Sequence, residues 1–179
     1  MIFLDMSKVI LSIACSLDGF IARESGSVDF LDRFNENSEE NNWFEKFLEK
    51  ISVIVMGNTT FQEYHTHPSF FEYYTGKEIY VFSRNPKLTH EKVTFINDTP
   101  EEFLKELKTD KDIWLLGGGK INTSFLESNL IDEYIISIVP VIIGKGIPLF
   151  TISDYETYLK FLKTEVLDSG IVNLYYGRE

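Results

Sequence analysis

The chain has little of what extracellular scaffolds and metal sites are built from. A single cysteine, Cys15, permits no internal disulfide, and three histidines beside one thiol are too few for a familiar structural zinc site. The expected protein is intracellular and free of metal. No apolar run approaches the about 20 residues that span a bilayer, and the longest, Tyr134 to Ile143, is broken by Ser137 and Pro140. The opening Met1-Ile2-Phe3-Leu4 lacks a basic flank and meets Asp5 at once, so it does not read as a signal peptide. The cytoplasm is the expected compartment. Basic residues are scarce as well: 17 Lys and Arg face 28 Asp and Glu, a formal charge of -11. That sign repels nucleic-acid backbones and anionic membranes, and neither is an expected partner. A small anionic ligand stays compatible, because helix N-termini and single guanidinium groups act within a few Å while screening confines the overall field to about 8 Å.

Repeats, Pro/Gly/Ser linkers and composition shifts are also missing, so the 179 residues, 44% hydrophobic and 25% charged, read as one domain over 1–179. Within it, strand-type and helix-type segments alternate. Lys8 to Cys15 predicts a first strand, and Ser16-Leu17-Asp18-Gly19 a loop after it. Trp43, Phe44, Phe47, Leu48 and Ile51 recur at helical spacing, behind a capping box of Asn37 and Glu40. Ile51 to Met56 predicts a second strand running into Gly57-Asn58-Thr59-Thr60 and a short helix. Glu78 to Ser83 and Lys92 to Ile96 follow as strands. Thr99-Pro100-Glu101-Glu102 then starts a helix with a cap, a proline at its first position and an acid at its third. Asp112 to Leu116, the glycine turn Gly117-Gly118-Gly119, a helix over Lys120 to Ser128 and a strand over Asp132 to Val139 complete the alternation. Phe161 to Leu167 and Ile171 to Tyr176 flank Asp168-Ser169-Gly170, a hairpin signal. The predicted fold is α/β with three layers: a mixed, mostly parallel sheet of about eight strands, ending in a C-terminal antiparallel hairpin.

Two junctions carry the candidate chemistry. At Gly57 and at Gly117 to Gly119 a strand meets glycine and then a helix, which lets backbone N–H groups approach a ligand beside the positive end of the helix dipole. Either alone is an ordinary tight crossover; the two together point to phosphate. Neither is a familiar signature. A dinucleotide fingerprint read from Gly117 would need glycine at Asn122, and a P-loop would need glycine at Trp114 and Ser or Thr at Ile121. ATP hydrolysis through a P-loop is excluded.

In order and spacing, Ser12 to Ala22 (SIACSLDGFIA), Val55 to Phe61 (VMGNTTF), Val81-Phe82-Ser83-Arg84, Leu115 to Ile121 (LLGGGKI), Leu130-Ile131-Asp132-Glu133 and Pro140 to Gly146 (PVIIGKG) resemble the dihydrofolate reductase-like fold. More closely, they resemble the family of the C-terminal reductase domain of the bacterial riboflavin-biosynthesis deaminase/reductase. The resemblance implies an oxidoreductase using NADPH, with NADH possible, on a small heterocyclic, imine or carbonyl substrate. By position, Ala14 and Ile21 match the nicotinamide border, Gly57, Asn58, Thr59 and Thr60 the helix start beneath the phosphates, Gly117, Gly118, Gly119, Lys120 and Ile121 the pyrophosphate turn, and Ser83 and Arg84 the adenosine end. It further implies a cis bond at Gly117-Gly118 and a homodimer, to which the strand at Tyr134 to Ile143 would contribute.

Three departures refine this. Many relatives carry arginine where Asn58 stands, so Arg84 must hold a 2′-phosphate or NADH competes. Riboflavin-pathway enzymes commonly place an acid before the glycine turn, where this chain has Leu116. Folate enzymes carry a proline-tryptophan pair that Val28-Asp29-Phe30 lacks. Glu40 is the candidate catalytic acid, three, four and seven residues before Trp43, Phe44 and Phe47, with an N-terminal capping role as its bland alternative. Ser137 matches a hydroxyl at the base of the substrate pocket. A metal at His65 and His67 is not expected, since their spacing shares no helical face. The rivals are a non-catalytic nucleotide-binding or stress-related module on the same scaffold, and an oligomeric scaffold without a nucleotide site.

Overall fold

The computed structural model describes residues 7–34, 38–67 and 69–179, with the side chains of 38–41 outside that description. Ten strands and five α-helices follow in chain order: β1 (Val9–Ser16), β2 (Phe20–Ala22), α1 (Ser38–Lys50), β3 (Ile51–Gly57), α2 (Asn58–Tyr64), α3 (Phe70–Tyr73), β4 (Glu78–Phe82), β5 (Thr94–Ile96), α4 (Pro100–Glu106), β6 (Asp112–Gly117), α5 (Gly119–Glu127), β7 (Glu133–Val139), β8 (Ile147–Pro148), β9 (Leu159–Val166) and β10 (Val172–Arg178). Eight of the strands form one sheet in the order β5-β4-β3-β6-β1-β7-β10-β9. The first six run parallel, and β10 and β9 add the antiparallel hairpin.

The central strands are apolar on both faces because helices cover both. On β3, Val53 and Val55 join Leu11, Leu115 and Phe125 in one core layer, while Ile54 and Met56 join Ile10, Trp114 and Phe47 in the other. Phe103 of α4 and Phe125 of α5 close the first layer; Phe47 of α1 and Phe61 of α2 close the second. The capping box at α4 is complete: Thr99 accepts from the Glu102 N–H, and the Glu102 carboxylate accepts from Thr99 N–H. The Asn37–Glu40 box lies outside the described residues.

Three features were not expected from sequence. Phe70 to Tyr73 forms a short helix. A 3-10 turn spans Asp29–Phe34. A separate two-stranded ribbon pairs β2 with β8, joining residues more than 120 positions apart. Among the described residues no helix is long and apolar enough to cross a membrane.

Candidate functional site

Parallel strands deliver their C-terminal ends to one edge of the sheet, and the two glycine turns arrive there side by side. β3 and β6 are neighbours, with Met56 in register with Gly117. The Gly118 N–H donates to Thr60 Oγ1 at 3.1 Å, which ties the second turn to the first turn of α2. A side chain added at Gly57 would meet Ile121 at 3.8 Å, and one at Gly118 would meet Ile21 at 3.5 Å. Ile21, Gly57, Thr60, Gly117, Gly118 and Ile121 therefore share one cleft.

The bond between Gly117 and Gly118 is cis, as the resemblance implies. Gly117 has φ +109°, a conformation closed to most side chains. Neither Gly57 nor Gly118 is accompanied by a side-chain cap. The first helical bond of α5 runs from Asn122 N–H to Gly118 O, so the N–H groups of Gly119, Lys120 and Ile121 are left for other acceptors. Beneath the turn, Asn122 is fully buried; its Nδ2 donates to Leu149 O at 2.9 Å while Oδ1 has no partner. Uncapped backbone donors at a Cβ-free approach, next to apolar Ile21 and Ile121, fit a phosphorylated nucleotide with an uncharged ring.

A strap holds the turn from behind. A Cβ on Gly119 would sit 2.3 Å from Pro148 O, and one on Gly146 would sit 2.2 Å from Ala22 O. Leu149 N–H donates to Gly19 O, and the Asp18 carboxylate accepts from the N–H groups of Ile143 and Gly144. The Ser16 hydroxyl and these amides hold the Asp18 carboxyl below its ordinary range, so it stays charged and keeps the first loop on the 140–149 segment. Sequence reasoning missed this strap and the orphaned Asn122; neither has a local signal.

The other named residues lie around this centre. Ser83 and Arg84 follow β4, which pairs with β3 at Gly57–Phe82, so they stand on the same edge. Arg84 is exposed and has no ion pair among the described residues. Lys120 and Thr59 are exposed, and Asn58 accepts from Gln62 at 3.3 Å. Ala14 on β1 is in register with Ser137 on β7, whose hydroxyl donates to Asn173 Oδ1 at 2.7 Å. Leu31, Phe34 and Val141 pack around the same corner as Ala14. The side chain of Glu40 lies outside the described residues. His65 turns back to Phe61 O and His67 to Ser69, so the two do not converge. Burial, with some help from the Asp18 charge, pushes the Cys15 thiol up to about 11.

Residues 7–173 match the model of the RibD C-terminal domain. The chain belongs to that family. One relative is the uncharacterized protein YwjB of Bacillus subtilis (strain 168), 37% identical over 96% of this chain and 98% of that protein. Among solved structures, a Shewanella sp. PV-4 protein ascribed to riboflavin biosynthesis superposes with TM-score 0.80 at 27% identity, covering 97% of this chain and 99% of that one. Dihydrofolate reductase from Enterococcus faecalis, complexed with NADP(H), superposes with TM-score 0.70 at 16% identity over 96% of each chain, a likeness of fold. The RibD C-terminal domain family is a reductase family, and the sheet described above is its dihydrofolate reductase-like scaffold.

Proposed function

We propose that the protein is an NADPH-dependent reductase, with NADH as a weaker alternative, acting on a small heterocyclic, imine or carbonyl compound. One observation carries this reading: the hydrogen bond from Gly118 to Thr60 joins two uncapped, glycine-opened helix starts into a single cleft. When bound, the nicotinamide supplies the hydride. Everything else falls to the chain. The first-turn N–H groups of α5 bind the pyrophosphate, with Asn58, Thr59, Thr60 and Lys120 around it. Arg84 takes the 2′-phosphate, since its planar donor set matches a phosphate and Asn58 brings no charge. Ala14 and Ile21 border the nicotinamide and keep water from it. Ser137 orients the substrate, and Glu40 supplies the proton that must accompany hydride on a C=N or C=O acceptor.

Titration of the protein with NADPH and NADH, followed by nucleotide fluorescence, tests the reading. Saturable binding with NADPH preferred supports it, and no binding of either nucleotide overturns it. Turnover is then sought across imine, pterin and carbonyl panels. Tight binding without oxidation in any panel would assign the non-catalytic module instead. Glu40→Gln should lower turnover and remove the fall in rate toward alkaline pH that loss of the carboxyl proton produces; an unchanged profile would exclude that role.

We also infer a homodimer. β7, which contains most of the Tyr134 to Ile143 run, is paired on both sides, so its backbone is not available. β9 is: it closes the sheet with Phe161, Leu162 and Val166 exposed. Two copies of β9 running antiparallel about its centre would set Lys160 opposite Glu165, a charge match that favours a second copy of this chain as the occupant.

A further inference from the structure

A second concavity lies away from the cofactor cleft. Tyr134 on β7 stands three residues before Ser137, about 10 Å along the strand and on the opposite face of the sheet. It is in register with Tyr176 on β10, and Tyr176 with Phe161 on β9. This is the face that α5 covers, since Tyr134 and Ile136 join Phe125 in one core layer. α5 ends at Glu127, and beyond it the chain between β8 and β9 crosses the face without regular structure. A largely apolar pocket of about 410 Å³ is left beneath that crossing, with Tyr134, Ile136, Phe150, Tyr155 and Tyr176 among its walls.

Two features of the walls point to a ligand. The first is charge and aromatic character together. Four of these side chains are aromatic, yet no two of the four rings stack on each other; the aromatic neighbour of Tyr176 is Phe161, at 5.9 Å. Ring faces held apart around a space attract cations through their quadrupoles. Among the described residues Glu156 is the one charged group on the wall, and Thr151 to Tyr158 holds Asp154 and Glu156 and no base. Arg178, in register with Leu159, is already committed to Asp132 at 2.9 Å and to Asn129 O. The second feature is an unused donor. Tyr134 is only 5% exposed, its hydroxyl has no hydrogen-bond partner among the described residues, and that oxygen is not sealed in the core, so it opens on the pocket that the ring lines. Burial, and then Tyr155, push the Tyr134 phenol up to about 12, which keeps it a neutral O–H donor near neutral pH. Buried hydroxyls of tyrosine ordinarily have a partner.

We propose that this pocket is a second ligand site, which takes an alkylated ammonium ion carrying a carbonyl or similar acceptor. The ammonium sits between the aromatic faces with Glu156 at the rim, and the acceptor takes the Tyr134 hydroxyl proton in a hydrogen bond. The formal charge of -11 favours the same sign of ligand. The site stands apart from the reductase reading and does not depend on it.

The test uses the full chain and two probes of one shape, acetylcholine and its uncharged carbon analogue 3,3-dimethylbutyl acetate, each titrated by calorimetry and followed by the proton signal of its three equivalent methyl groups. Expected are about tenfold tighter binding of acetylcholine, an upfield shift of its methyl signal from the surrounding rings, and a preference reduced to about threefold or less in Tyr155→Leu and in Glu156→Gln, both at exposed positions. Tyr134→Phe should weaken the two probes alike, because both carry the carbonyl. Saturating NADPH should leave acetylcholine binding unchanged. Equal binding of the probes would make the pocket merely apolar and overturns the proposal, as do binding of neither, a preference that survives in both exposed variants, or native affinity in Tyr134→Phe. Competition between NADPH and acetylcholine would place the cation in the cofactor cleft and overturns it too, whereas failure of NADPH to bind removes the reductase reading and leaves this site standing.

Discussion

At the residue scale, glycine acts through space at one position and not at another. A methyl on Gly119 has nowhere to go, because the atom it meets is the backbone oxygen of Pro148. Gly119→Ala should cost about 1–3 kcal/mol in urea denaturation. Gly57→Ala, whose nearest contact would be an ordinary 3.8 Å, should stay within about 0.5 kcal/mol. Arg84 makes a sharper functional statement. Arg84→Ala should weaken NADPH about 10- to 100-fold, the scale of hydrogen bonds to a charged group, and leave NADH unchanged in the same titration. Equal losses for both nucleotides would place the guanidinium away from the 2′-phosphate. Buried Cys15, with its thiol near 11, should resist thiol reagents near neutral pH until the chain unfolds.

At the scale of elements, the hairpin of β9 and β10 is locked to α1 by polar contacts. The Tyr175 hydroxyl accepts from Trp43 and donates to Glu165 at 2.5 Å. That hydroxyl, reinforced by Lys163, holds the Glu165 carboxyl below its ordinary 4.5. A depressed carboxylate stabilises the fold fully above the unfolded value and loses that contribution as pH falls through the folded one. Tyr175→Phe should therefore lower stability by about 1 kcal/mol near neutrality and flatten its fall below about pH 4.5, as read from urea midpoints across that range. The Glu165 side chain is 42% exposed, so the flattening is small. Which elements exist was legible where the signal is local: the Thr99 cap, the apolar run of β3, and the turn at Asp168-Ser169-Gly170. β2 and β8 were not, because three- and two-residue strands owe their existence to each other and to no propensity of their own.

At the scale of the whole molecule, the exposed apolar edge at β9 predicts a dimer. Size exclusion with light scattering should give about twice the chain mass for the native protein and the monomer mass for Phe161→Lys with Val166→Lys. A native monomer at high micromolar concentration would remove the inference.

The sequence by itself determined the α/β class, the order of the elements and the two glycine turns with the residues beside them, since each rests on periodicity, caps or backbone permissiveness within a short window. Tertiary structure alone decided which residues meet. The strap that fixes Gly119, the buried Asn122 beneath Gly117 and the pairing of Ser137 with Asn173 all depend on contacts between segments 27 or more positions apart. No local window holds that information: the packing of both core layers settles it at once, and a register shift of one residue would turn Ser137 or Asn173 to the opposite face of the sheet.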